Sequence, residues 1–115
     1  MSDRDKIQLA SIADSIRKIQ NYSAGFPGAD EFYADTQAFD ASMMNFVIIG
    51  EMVARLSESF MREHGQVDWA RIKGFRNLVA HNYFGIDAEE VWQIIKNKLP
   101  QLKAQIEAIP TATND

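Results

Sequence analysis

TQAFDASMMNFVIIGEMVARLSESFMREH, residues 36–64, decides the fold. Phe39, Met43, Phe46, Ile49, Val53, Leu56 and Phe60 recur at three- and four-residue steps, the spacing that lines up one face of an α-helix. The pattern predicts one long helix from about Thr36 to His64, with a short helical piece at Glu31 to Asp35 ahead of it. Its apolar face is long and rich in Met and Phe, enough for a core and for a surface that meets a partner, and the Met43-Met44 pair reads as core filler.

Working outward, Leu9, Ile12, Ile16 and Ile19 predict an amphipathic helix from Asp5 to about Tyr22, ended by the breaker run Ser23-Ala24-Gly25-Phe26-Pro27-Gly28. On the other side, Gly65-Gln66-Val67 ends the long helix. Asp68 can accept from the free amides of a first turn, which predicts a third major helix from Trp69 to about Tyr83. Phe84-Gly85-Ile86 turns the chain and Asp87 caps again. A further helix carries Val91, Trp92, Ile94, Ile95 and Leu99, and Pro100 either kinks it or opens a last piece with Leu102, Ile106 and Ile109. These elements make an all-α chain, an antiparallel bundle of four to five helices in a single domain, residues 1–110, followed by a flexible tail, 111–115.

Length and composition agree. A chain of 115 residues supports one core, and 46% apolar with 24% charged residues is ordinary for a globular protein. The absence of cysteine excludes disulfides, thiolate metal sites and a cysteine nucleophile, and suits a reducing compartment. No signal-like start and no membrane-length apolar run is present, so a cytoplasmic location with no membrane partner is expected. The net charge of −4 disfavours unspecific polyanion binding, yet the charge is unevenly placed. Residues 69–86 hold Arg71, Lys73 and Arg76 and no carboxylate, whereas residues 30–51 hold five carboxylates and no cation. A phosphate would meet the later segment.

That segment contains RNLVAHNY, residues 76–83. Arg76 can grip a phosphate through a planar fork, His81 can move protons near neutral pH, and Tyr83 offers a hydroxyl. On an ideal helix Arg76 and Tyr83 lie within about 20°, Asn77 and His81 within about 40°, but Arg76 and His81 differ by about 140°. Ile72, Phe75 and Val79 mark the core side. A one-chain site would require the last turn to unwind toward Gly85. Two copies of the helix meeting across a two-fold axis would instead combine residues of both chains, the simpler arrangement.

Each residue also has a plainer explanation. His81 can serve the end of a helix, Arg76 can pair with Glu51, and Tyr83 can anchor with its hydroxyl wet. Arg71 and Lys73 read as solvated charge, and His64 as an end-of-helix residue. Gly25-Phe26-Pro27-Gly28 lacks the Lys-Ser/Thr of a phosphate loop, no serine sits in a nucleophile elbow, and Glu89 and Glu90 follow Asp87 at a helix start. Two separated histidines give no motif for a metal, and no cofactor is called for.

From Ile48-Ile49-Gly50-Glu51 through Trp69, Ile72 and Gly74 to Arg76-Asn77, His81, Tyr83-Phe84-Gly85-Ile86-Asp87, Val91-Trp92 and Leu99-Pro100, the chain resembles HEPN-domain proteins, specifically the HepT-like toxins. The resemblance covers about Phe39 to Ile109 and includes their R-x(4)-H-x-Y signature. It implies a HEPN-like helical homodimer, or a higher even-numbered oligomer, acting as a metal-independent endoribonuclease. Arg76 would stabilise the phosphate, His81 would be the general acid/base and Asn77 a supporting polar residue. It further implies a toxin–antitoxin pair, with a nucleotidyltransferase antitoxin that adenylylates Tyr83. Many relatives carry an arginine where Met44 stands, which implies a weaker basic contribution here. An alternative is a non-catalytic nucleotide- or partner-binding subunit of a minimal nucleotidyltransferase.

Overall fold

The computed structural model describes residues 1–77 and 87–110, and among them every regular element is helical. The elements are α1 (Asp3–Ser23), α2 (Ala29–Ala34), α3 (Thr36–Ala54), α4 (Glu58–Glu63), α5 (Trp69–Lys73), α6 (Ala88–Gln93), a π-helical turn (Ile94–Lys98) and α7 (Leu99–Glu107). The all-α expectation holds. The predicted tail 111–115, and His81 and Tyr83, lie outside the described residues.

α1 and α3 form the main helix pair. The stripe Leu9, Ile12, Ile16 and Ile19 faces Phe39, Met43, Phe46, Ile49 and Val53, and all nine are buried in one core. Burying a side chain of this size contributes roughly 1.5–3 kcal/mol, so the pair dominates the stability of the fold. α2 tucks Phe32 between other rings, 5.7 Å from Phe26, 5.5 Å from Phe39 and 5.6 Å from Trp92, and so joins α3 to α6. α5 packs on α3, and α7 returns along α1.

Side-chain caps set most helix starts. Ser2, Asp35, Ser57, Asp68 and Asp87 each accept from a first-turn amide of the helix that follows.

Three expectations need correction. The helix predicted over 36–64 is broken after Ala54, because Ser57 leaves the ladder and caps α4 by accepting from Phe60 N–H at 3.3 Å. What holds Ser57 there is distant in sequence. Its amide and hydroxyl donate to the two carboxylate oxygens of Asp5, at 2.9 and 2.7 Å. Apolar spacing alone could not reveal the break, since Leu56 and Phe60 are buried on either side of it. The helix predicted over 69–83 ends its first part at Lys73, turns at Gly74, and resumes over 75–77. Met44 is not core filler: Met43 is buried, but Met44 is 60% exposed.

Pro100 opens the last helical piece, one of the two alternatives for it. Just before it the ladder widens, with Leu99 N–H donating to Ile94 C=O, and Pro100 falls in the first turn of α7. In a tight α-helix its ring would press on the Lys96 carbonyl, which would also lack a donor; the wider turn relieves both.

Candidate functional site

Gly50 is buried near the C-terminal end of α3, where the backbone of residues 73–76 crosses it. A Cβ at Gly50 would lie 2.9 Å from Arg76 N, 2.9 Å from Lys73 O and 3.0 Å from Arg76 Cβ. Real Cβ atoms do not tolerate such distances, so glycine is what lets the two backbones touch. The crossing brings Glu51, the next residue on α3, beside Arg76. Arg76 Nη1 donates to Glu51 Oε1 at 3.2 Å.

Phe75 is the inward anchor of this segment, buried and edge-on to Phe46 at 5.3 Å between ring centres. With Phe75 fixed, Arg76 emerges at the boundary and Asn77 points to solvent. Asn77 N–H donates to Gly74 C=O at 2.9 Å, which ties the new turn to the one before.

The Arg76 side chain is 37% exposed and that of Glu51 44%. At this exposure solvent screens the pair, which is worth roughly 0–1 kcal/mol to stability. Its role is orientation. Among the described residues Glu51 engages one guanidinium nitrogen and leaves the other edges of the fork without a partner. An arginine held at one end, half-buried on a rigid crossing and open at the other, is suited to receive a phosphate.

Of the residues singled out in sequence, Arg76 and Asn77 stand side by side at the surface. His81 and Tyr83 lie outside the described residues. The pairing of Arg76 with Glu51 matches the plainer reading of that arginine. His64 is an end-of-helix residue as expected: its ring lies 4.6 Å from that of Phe60, and its carbonyl accepts from Trp69 Nε1 at 3.0 Å. Among the described residues no three His, Asp or Glu side chains cluster in a way that could hold a metal ion. No helix there is long and apolar enough to cross a membrane.

Sequence reasoning missed Asp5. It was read only as the start of the first helix, yet it is 3% exposed. Burial pushes its carboxyl pKa up, but the amide and hydroxyl of Ser57, the Ser2 hydroxyl and the charge of Arg4 outweigh that and hold it below the usual 3.8. No local signal could have found this contact, because Asp5 and Ser57 are 52 residues apart.

Residues 12–109 match the family described as Ribonuclease HepT-like. A "Putative RNase" of Methanocaldococcus jannaschii is 38% identical over 70% of this chain and 66% of its own length. Another protein of that organism, whose name joins a gamma-glutamylcyclotransferase to a "putative RNase", is 30% identical over 88% of this chain but 45% of its own. The chain thus spans less than two thirds of either relative. The "Probable ribonuclease HepT" of Thermococcus cleftensis is 28% identical over 95% of this chain and 98% of its own length. No solved structure matches at a significant level. The chain belongs to the HepT-like ribonuclease family.

Proposed function

We propose that this protein is a metal-independent endoribonuclease acting as a homodimer, the toxin of a toxin–antitoxin pair in the cytoplasm. The observation that carries the reading is the half-buried Arg76, fixed by Glu51 at the Gly50 crossing with most of its fork open among the described residues. Family membership and the names of the relatives support RNA as the substrate.

Cleavage requires the ribose 2′-oxygen to attack the adjacent phosphorus while the bond to the 5′-oxygen of the next nucleotide breaks. The 2′-hydroxyl proton goes to a base, an acid protonates the leaving oxygen, and negative charge grows on the non-bridging oxygens. Arg76 meets that charge. His81 transfers the protons, and two copies brought together at a two-fold axis supply one neutral imidazole as base and one imidazolium as acid. Asn77 supports the phosphate from the same turn as Arg76. Tyr83 is the acceptor through which a nucleotidyltransferase antitoxin adds AMP; the added charge and bulk repel RNA.

The test is purified protein incubated with RNA, with and without chelator, alongside His81→Ala. Cleavage that resists the chelator and disappears in the variant, with the oligomeric state by light scattering unchanged, is the expected result. Cleavage that persists in His81→Ala overturns the proposal. The exposed Met44 favours a second reading, a nucleotide- or partner-binding subunit without catalysis, because it puts an uncharged side chain on the outer face of α3. Under that reading even the parent protein leaves RNA intact.

A further inference from the structure

A second cleft lies between α5 and the π-turn/α7 segment, with a volume of about 310 Å³. Two cations converge on it, Arg71 from α5 and Lys98 from the last position of the π-turn. Neither has an ion-pair partner among the described residues, whereas six other cations of the chain do. The floor is apolar, built from the buried Phe75 and Leu102. Gln101 and Gln105 line one wall. Lys98, Gln101, Leu102 and Gln105 follow at three- and four-residue steps, so a single helix face supplies cation, amides and floor.

The lining of the cleft is mostly polar, with Ile72, Phe75 and Leu102 as the apolar part. Phosphate suits the Arg and Lys, a base's flat face suits the floor, and amides that both donate and accept suit a base edge of any identity. Asp68 stands at the rim. One of its oxygens caps α5 by accepting from Arg71 N–H at 3.1 Å, and the carboxylate keeps capacity to accept from a ribose hydroxyl. Phe75 in the floor directly precedes Arg76 in the chain.

We propose that this cleft binds one ribonucleotide unit, its phosphate on Arg71 and Lys98 and its base over Phe75 and Leu102. It rests on the ribonuclease reading only for the ligand's source, an RNA strand. The same chemistry would hold a free nucleotide, and two probes distinguish these: a short oligoadenylate and adenosine 5′-monophosphate. Binding is measured by fluorescence anisotropy for the labelled oligomer and by amide NMR shifts for the mononucleotide, on a His81→Ala background so that RNA stays intact.

The double substitution Arg71→Gln, Lys98→Gln is expected to weaken oligoadenylate on the order of tenfold and to flatten the salt dependence of log K by about one. Both side chains are exposed, so the melting temperature should not move. Loss of oligomer binding alone identifies a strand subsite, and loss of both probes a nucleotide site as well. Unchanged affinity and salt slope for both probes overturns the proposal. Asp68→Asn keeps a capping oxygen and should bring the affinities for oligoadenylate and oligodeoxyadenylate together; unchanged discrimination removes Asp68 from the site. If the parent fails to cleave RNA while the cleft variants lose binding, the ribonuclease reading falls alone. If it cleaves while they bind normally, the cleft falls alone.

Discussion

Asp5 and Arg76 are both charged side chains tied to a distant residue on or beyond α3, but they are tied in opposite ways. Asp5 is buried, and both of its oxygens are taken by the amide and hydroxyl of Ser57. Arg76 is half exposed and gives Glu51 one nitrogen of a fork that offers five N–H groups. The first arrangement spends its hydrogen-bonding capacity on the fold and leaves nothing for a ligand. The second spends little on stability and keeps capacity in reserve. Within this one domain, how completely a charge is satisfied separates a structural clamp from a candidate site more clearly than which residue carries it.

Substitutions can break the comparison, and the largest effect is expected at the reserve. Arg76→Ala should lower RNA cleavage by about 10²–10³-fold, the usual loss when one transition-state donor is removed, while thermal melting shifts little. A collapse of the fold instead would place Arg76 with Asp5. At the crossing, Gly50→Ala sets a methyl against backbone atoms that cannot step aside, and should cost about 1–3 kcal/mol in urea unfolding as well as displacing Arg76. Asp5→Ala strands the Ser57 donors and should cost about 2 kcal/mol, with cleavage per folded molecule unchanged.

The clamp also has a pH signature. Because the folded pKa of Asp5 lies below 3.8, its stabilisation is fully present above that value and is lost as pH falls through the folded pKa. The stability gap between the parent and Asp5→Asn should therefore close in acid; a gap that widens would contradict the assignment. The smallest effect belongs to Glu51→Gln. Stability should change by less than about 1 kcal/mol, since the pair is solvent-screened, whereas cleavage should fall if Glu51 orients the fork. A rise in cleavage would mean that Glu51 competes with phosphate.

Much of the fold was legible because the core repeats at helical spacing. The stripes Leu9-Ile12-Ile16-Ile19 and Phe39-Met43-Phe46-Ile49-Val53 are the observed core, and Asp68 and Asp87 cap where a local reading places them. The break at Ser57 was not legible, since the same spacing runs through it and its cause lies in α1. Met44 was misread because a run of apolar residues does not say which of two neighbours turns outward. For the site, Arg76 and its pairing with Glu51 could be named from type and spacing. The cleft at Arg71 and Lys98 could not, because those residues meet only after α7 folds back.

The sequence by itself determined that the chain is helical, the caps at Asp68 and Asp87, and the residues that carry charge and proton chemistry. These depend on neighbours within a turn or two, where the backbone geometry is fixed. Only the tertiary structure decided which charges are satisfied and which are held open. That depends on contacts such as Asp5 with Ser57, and residues 73–76 against Gly50, whose partners are brought together by packing of the whole chain.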